Sequence, residues 1–261
     1  MNQFEPRVSK IIAKDNKLYR DCLKLKQKKY RDSFGAMMVE GDNLVEEAVA
    51  SGEALLILYD EKRSLPASFK DTPSVPVKSS LFEKLTDTMN DQGICCVVKR
   101  PRTGVRDFFR IAGGAGANIL IFDRLQDPGN AGTLIRTAEA AGYSGIVTVP
   151  GTVDVYSPKV VRAAAGSILR MPVCEAGSYE EVREMVSSMG KRLVGTAPGG
   201  GKRFDEADLS KNIALIVGNE GSGISDEFLG MTDEVLMIPM RGKVESLNAA
   251  VAAALIMYRS I

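Results

Sequence analysis

The runs NILIFD (118–123), GIVTV (145–149), LRMPVC (169–174), RLVGTA (192–197), IALIVG (213–218) and EVLMIPM (234–240) decide the fold of the longer part of this chain. Each is short and mostly apolar, and helical patterns separate most of them. A strand covered on both faces has no polar side to show, so continuous apolar strands alternating with amphipathic helices predict a parallel sheet with helices on both faces. In such sheets ligands bind beyond the carboxyl ends of the strands. The loops after Asp123, Ala197, Gly218 and Met240 are therefore where chemistry is expected.

Toward the N-terminus, residues 101–117 carry Pro101, Gly104 and the run GGAGA (113–117), a composition shift that suggests a connector between domains. A chain of 261 residues also favours two domains. The expected division is a first domain over 1–103, a linker over 104–117 and a second domain over 118–261. The first hundred residues read as a small α/β unit. A basic helix is expected around Lys10 to Lys29, a strand at 36–39, and a helix after Gly41 with Leu44, Val45, Ala48 and Val49 at helical spacing. LLILYD (55–60) makes a buried strand, and a polar stretch over 61–76 separates it from a helix-like SSLFEKLTD (79–87) and the strand GICCVVKR (93–100).

Composition, with 26% charged and 44% hydrophobic residues, is that of a soluble globular protein. The net charge of +1 is unevenly spread: the first 34 residues hold ten Lys and Arg against four Asp and Glu. A basic face of this kind serves either a nucleic-acid partner or plain solvation. The four cysteines, Cys22, Cys95, Cys96 and Cys174, form no C-x-x-C pair and read as buried thiols in a reducing compartment. There is no histidine, which removes imidazole acid/base chemistry and most zinc sites. Without a signal-peptide core or a membrane-length apolar run, the cytoplasm is the expected compartment, with no membrane partner.

Three strand-end loops carry the candidate chemistry. DPGNAGTLIRTAEAAG (127–142) follows a strand and opens a helix that Asn130 can cap, while Gly132 exposes backbone N–H groups. Arg136 stands six residues beyond Asn130, and its five-donor fork suits a phosphate or a developing oxyanion. A capped helix with a surface arginine would read the same way. VGNEGSGIS (217–225) has glycines at 218, 221 and 223, spaced G-x-x-G-x-G rather than as the dinucleotide fingerprint G-x-G-x-x-G. Glu220 within it can orient Arg136 or a ribose hydroxyl, or simply favour the adjacent helix N-terminus. In IPMRGKVESLNAAVAAALIMY (238–258), Ile238, Pro239 and Met240 can wall an adenine pocket, and Ser246 and Asn248 offer polar groups at the start of the last helix. Its alanines can equally pack against a neighbouring element.

Taken together, N-x-G-x-x-x-R (130–136), V-G-N-E-G-x-G (217–223) and I-P-M-x-G-x-x-x-S-L-N (238–248) resemble the SpoU/TrmH branch of the SPOUT methyltransferase superfamily, in order and in strand-end placement. SPKVVRAAAGS (157–167) is similar to the segment between that branch's first two motifs, with Ala164 where a serine is common. VEGDNLVEEAVASG (39–52) and NDQGICCVVKR (90–100) resemble its substrate-binding domain.

The resemblance implies a deep trefoil knot in the C-terminal domain and a homodimer whose active sites are completed across the interface. It implies S-adenosylmethionine as cofactor, held largely by backbone groups of four loops. The residues concerned are Thr196, Ala197 and Gly199; Gly218, Asn219 and Gly221; Ile238, Pro239 and Met240; and Ser246, Leu247 and Asn248. It implies RNA as substrate, ribosomal RNA rather than transfer RNA, with methylation at a ribose 2′-hydroxyl and no metal. Positioning that hydroxyl in line with the methyl group can remove several kcal/mol of barrier. Arg136 leads the catalytic set, with Asn130, Glu220, Ser246 and Asn248. A guanidinium with a pKa above about 12 is a poor base, so its expected role is donor to the developing alkoxide. Two other classes are weighed. A non-catalytic RNA-binding protein on the same scaffold would lack one of the motifs, and a nicotinamide-dependent oxidoreductase would need a proper glycine fingerprint and an acidic ribose ligand.

Overall fold

In the computed structural model the apolar run at Ile213–Val217 is a strand whose five residues are all buried, and strands are added on either side of it. Residues 3–86, 92–197, 199–259 and 261 are described. The chain divides into two units, Met1–Pro101 with Tyr156–Gly166, and Arg102–Val155 with Ser167–Ile261.

The first unit contains α1 (Lys17–Lys24), α2 (Lys28–Phe34), β1 (Ala36–Glu40), α3 (Asp42–Ala50), β2 (Ala54–Asp60), β3 (Ser74–Val77), α4 (Ser79–Phe82) and β4 (Ile94–Lys99). Its sheet runs β1-β4-β2-β3, with β4 antiparallel to both neighbours and β3 parallel to β2. One face packs on a core that includes Phe4, Tyr19, Leu56, Leu58 and Phe82.

Three expectations for this unit change. The single basic helix over 10–29 is two helices preceded by an extended segment, because Ile11 is fully buried and bridges Val77 in parallel. Between α1 and α2, the buried Arg31 donates through Nη1 to the Leu25 carbonyl at 2.7 Å, so this member of the basic cluster is structural. The polar stretch over 61–76 supplies the edge strand β3, where Pro76 is tolerated because an edge can spare an N–H. The helix expected over 79–87 is regular only to Phe82, and Asp87, Asn90 and Asp91 lie outside the described residues.

Past Pro101 come α5 (Val105–Ala112), β5 (Ile119–Phe122), α6 (Pro128–Ala140), β6 (Ile146–Thr148), α7 (Pro158–Ala163), α8 (Ser167–Arg170) and β7 (Val173–Glu175). They are followed by α9 (Tyr179–Ser188), β8 (Arg192–Thr196), β9 (Lys202–Arg203), β10 (Ile213–Val217), α10 (Asp226–Leu229), β11 (Glu234–Met237) and α11 (Ala249–Arg259). The seven strands run β7-β6-β5-β10-β8-β11-β9, every pair parallel, as the apolar runs foretold. The strand the sequence did not announce is the two-residue β9, too short and too exposed to leave a pattern.

The stretch expected as a linker over 104–117 contains α5, whose Phe108 and Ala112 are buried. The segment 156–166, placed by sequence within the second domain, belongs to the first unit. There the Arg100 guanidinium lies 4.5 Å from the Tyr156 ring centroid and Arg162 stands 3.7 Å from Glu40.

Candidate active site

The site grows from the ends of β5 and β10, neighbours in the sheet. Immediately after β5, the carboxylate of Asp123 is fully buried. It accepts from Ser225 N at 2.6 Å, Tyr179 Oη at 3.3 Å and Arg124 Nε at 3.2 Å. Desolvation first, with the nearby Asp123 charge contributing, pushes the Tyr179 phenol up, so it stays a donor. Arg124 then turns in the left-handed region, φ 55°, unusual for a residue with a side chain. Its carbonyl accepts from Asn219 Nδ2 at 3.0 Å and Gln126 Nε2 at 3.2 Å.

The loop after β10 folds on itself. Asn219 and Gly223 exchange two backbone hydrogen bonds of 2.9 Å, and the Asn219 Oδ1 atom accepts from Gly221 N and Ser222 N at 3.0 Å each. The fold is tight enough that a Cβ on Gly218 would stand 2.3 Å from the backbone of Gly223 and Ile224. At Gly221 a Cβ would meet only Asn219 Oδ1, at 3.6 Å, and φ there is not positive. Of these two glycines, Gly218 is the one the geometry requires.

Glu220, carried at the tip of this loop, reaches the start of α6. Its carboxylate accepts from Gln126 N at 3.0 Å, Asp127 N at 2.9 Å and Asn130 Nδ2 at 3.1 Å. Partial burial pushes its pKa up, but these hydrogen bonds outweigh that and hold the carboxyl below its ordinary range. It is a fixed anion at neutral pH. Asn130 does not cap α6: Asp127 does, accepting from Asn130 N at 2.7 Å with Pro128 at the first helical position. The amide of Asn130 is thereby left to join Glu220 to Asn248, whose Nδ2 donates to Asn130 Oδ1 at 2.9 Å. Asn248 Oδ1 in turn accepts from Ala250 N at 2.9 Å at the start of α11. One chain of side chains, Glu220–Asn130–Asn248, thus binds all three sequence motifs.

Beside it opens a cavity of about 270 Å³, just under the size range usual for small-molecule pockets. Ile224, Leu236, Ile238, Met240 and Leu247 give it apolar walls, and the loop of residues 217–223 edges it. Of the expected cofactor residues, Thr196, Ala197, Gly218, Asn219, Gly221, Ile238, Met240, Ser246 and Leu247 line this cavity. Gly199, Pro239 and Asn248 are not among its lining residues, and Pro198 of the expected loop lies outside the described residues. Sequence reasoning missed Ala249, Ala252 and Ala253, which line it from α11. Their small size at i, i+3 and i+4 was the available signal: they admit a ligand as well as a neighbouring helix.

Arg136 stands apart from this network. Six helical residues carry it about 9 Å along α6 and roughly 240° round its axis from Asn130. It is exposed, and among the described residues no hydrogen bond or ion pair engages its side chain. Glu220 therefore does not orient it within one chain, its oxygens being taken by the start of α6.

A ligand pocket at the strand ends of a seven-stranded parallel sheet, preceded by a small α/β unit, is the build of the SPOUT methyltransferases. Residues 117–258 match the SpoU rRNA Methylase family, and residues 16–96 match the MRM3-like substrate binding domain. The chain belongs to the SpoU rRNA methylase family. It is 35% identical to a 23S rRNA guanosine 2′-O-methyltransferase of Bacillus subtilis, over 96% of this chain and 98% of that one. A 23S rRNA uridine 2′-O-methyltransferase of Streptomyces viridochromogenes is 28% identical over 98% of this chain and 93% of its own. Among solved structures, an AdoMet-bound rRNA methyltransferase from Sinorhizobium meliloti superposes with a TM-score of 0.86 at 30% identity, covering 98% of both chains. The SpoU methyltransferase AviRb from Streptomyces viridochromogenes, in complex with AdoMet, gives 0.85 at 30% identity over 94% of this chain and 97% of that one.

Proposed function

We propose that this protein transfers a methyl group from S-adenosylmethionine to a ribose 2′-hydroxyl of ribosomal RNA. The observation that carries the reading is the Glu220–Asn130–Asn248 chain beside the strand-end cavity, in a member of this family. The residues present fit the cofactor: apolar walls suit an adenine face, backbone N–H and C=O groups suit its edges and hydroxyls, and the three alanines of α11 leave room. When bound, S-adenosylmethionine supplies an electrophilic methyl group on a sulfonium.

Thr196, Ala197, Gly218, Asn219, Gly221, Ile238, Met240, Ser246 and Leu247 would hold the cofactor, with Gly199, Pro239 and Asn248 at the margin of the same loops. Glu220, Asn130 and Asn248 keep those loops in register, and Ser246 places a hydroxyl at the cavity. Arg136 donates to the 2′-oxygen as its negative charge develops. The hydroxyl proton leaves to an acceptor outside this set.

The same reading assigns Arg136 to a site completed by a second copy of the chain. On α11, Val251, Leu255 and Tyr258 recur at i, i+4 and i+7 and are 50%, 43% and 54% exposed, an apolar stripe suited to a homodimer. α6, which carries Arg136, packs on α11 within the unit. The strand order, with β10 and β11 each entering between other strands, suits a deep trefoil knot. We assign RNA binding to residues 1–103 and cofactor binding to 118–261, at work in the cytoplasm.

The test is calorimetry with S-adenosylmethionine, then labelled methyl transfer to ribosomal RNA stripped of its modification in a deletion strain. One restored 2′-O-methyl group, absent with Arg136→Ala, supports the reading. Methylation of transfer RNA alone would change the substrate, and absence of cofactor binding would overturn the activity.

A further inference from the structure

Away from the cofactor cavity, a groove of about 480 Å³ in the first unit is bounded by Gln3, Lys17, Arg20, Lys24, Tyr30 and Phe34. Lys17, Arg20 and Lys24 fall at successive helical spacings on α1, so they share one stripe. Beneath the stripe lies Asp21, its side chain 6% exposed, with one oxygen 2.5 Å from Lys17 Nζ and the other 2.8 Å from Lys24 Nζ. The buried carboxylate fixes two ammonium groups in place. Arg20, between them in sequence, is exposed, and its side chain has no hydrogen bond or ion pair among the described residues.

Tyr30 and Phe34 add an aromatic lining to the groove. The ring of Tyr30 lies 5.7 Å from that of Phe34, which meets the buried Phe4 edge-on at 6.0 Å. Lys24 and Lys29 place their ammonium groups 5.5 and 5.8 Å from the Tyr30 centroid. The aromatic lining is thus anchored in the core and its rim is cationic. Such a pairing suits a ligand that offers a flat face and an anion one backbone unit apart, which is an unpaired nucleotide. A duplex keeps its base faces stacked and would use the cations alone.

We propose that this groove takes an unpaired nucleotide of the RNA substrate, with its base against Tyr30 and its phosphates at Lys17, Arg20 and Lys24. The proposal rests on the methyltransferase reading above and adds to it a place and a strandedness for RNA recognition. Arg20 and Tyr30 are the residues to change, because removing Lys17 or Lys24 would leave the buried Asp21 charge short of a partner.

The experiment titrates the full chain with a single-stranded oligouridylate of about 12 nucleotides, within the span usual for such sites, and with an RNA duplex of similar length. Salt is varied, and S-adenosylmethionine affinity is measured in parallel. Tyr30→Leu should weaken the single strand about tenfold, a typical stacking loss, while sparing the duplex. Tyr30→Phe should restore it. Arg20→Gln should flatten the log–log salt slope by about 0.7, one phosphate contact on a single strand. If Tyr30→Leu and Arg20→Gln both titrate like the wild type while cofactor binding persists, the groove is wrong and the methyltransferase reading stands. If the wild type binds neither cofactor nor RNA, that reading fails and takes the groove with it. Should Tyr30→Leu not fold, Arg20→Gln, which breaks no side-chain hydrogen bond or ion pair among the described residues, decides by its slope.

Discussion

Two carboxylates, Glu220 beside the cavity and Asp21 under the N-terminal groove, are both saturated with donors, but with donors of different kinds. Glu220 is held by two backbone N–H groups and an amide, so its charge fixes the loop at the start of α6. Asp21 is held by two lysines, so its charge spends itself in arranging cations that still face outward. One region is built to keep a backbone shape, the other to keep a charge pattern. Changes in the first should therefore act steeply through geometry, and changes in the second in graded steps through counter-ion release.

The steepest effect expected is at Gly218. With a Cβ 2.3 Å from the Gly223 and Ile224 backbone, Gly218→Val cannot keep the turn, and S-adenosylmethionine binding should disappear from calorimetric titrations. Gly221→Ala, whose Cβ meets a single side-chain oxygen at 3.6 Å, should bind within a few-fold of the wild type. Equal losses at both positions would mean that the region is not held by shape. Next comes Arg136→Ala. Since no side-chain hydrogen bond or ion pair engages Arg136 among the described residues, the fold and cofactor affinity should survive, while single-turnover methyl transfer falls about 10²–10³-fold. A near-normal rate would return the cation's role to another residue.

Asp123 extends the first region's logic into the core, where three donors converge on a fully buried carboxylate. Asn in its place offers one acceptor and turns an N–H₂ toward donors, a mismatch costing on the order of 3 kcal/mol. For a chain of this size that corresponds to roughly 6–12 °C in calorimetric Tm. An unchanged Tm would show that Ser225 and Tyr179 find other partners, and that β5 and α10 do not depend on this anion.

The parallel sheet was legible because buried strands cannot hide their composition: the runs at 119–122 and 213–217 are wholly apolar and became its interior. The motif loops were legible as places, and nine of the expected cofactor residues line one cavity. What sequence could not supply was partnership. Asn130 looks like a cap, yet Asp127 three residues earlier holds that position, and only the folded chain brings Glu220 across 90 residues to the freed amide. Arg31 counts as one more cation until its guanidinium is found buried on the Leu25 carbonyl. β3 was hidden by Pro73 and Pro76, which read as loop but sit on an edge. The association of 156–166 with the first unit leaves no periodic mark at all.

The smallest effect sharpens the comparison by pH. Both carboxylates titrate below their ordinary range in the folded chain: burial works against each, and is outweighed by Asn130, Asp127 and Gln126 at Glu220, and by Lys17 and Lys24 at Asp21. A depressed folded pKa means that each contribution is complete above the unfolded value, about 4.3 for Glu and 3.9 for Asp, and is lost as pH falls through the folded one. The sign is the same in both regions, so the readout must separate them. Cofactor affinity should follow Glu220, because protonation leaves two backbone N–H groups and an amide facing a weaker acceptor. Between about pH 7 and 5 the wild type should bind with constant affinity on this account, then weaken in acid. Glu220→Gln should bind S-adenosylmethionine roughly tenfold more weakly at pH 7, the loss of one charge-assisted hydrogen bond, and its affinity should stay flat where the wild type falls. Asp21 should leave that curve untouched and show its acid limb in the thermal stability of the chain. Parallel acid limbs for wild type and Glu220→Gln in the cofactor titration would mean that Glu220 is not the anion that keeps the loop closed.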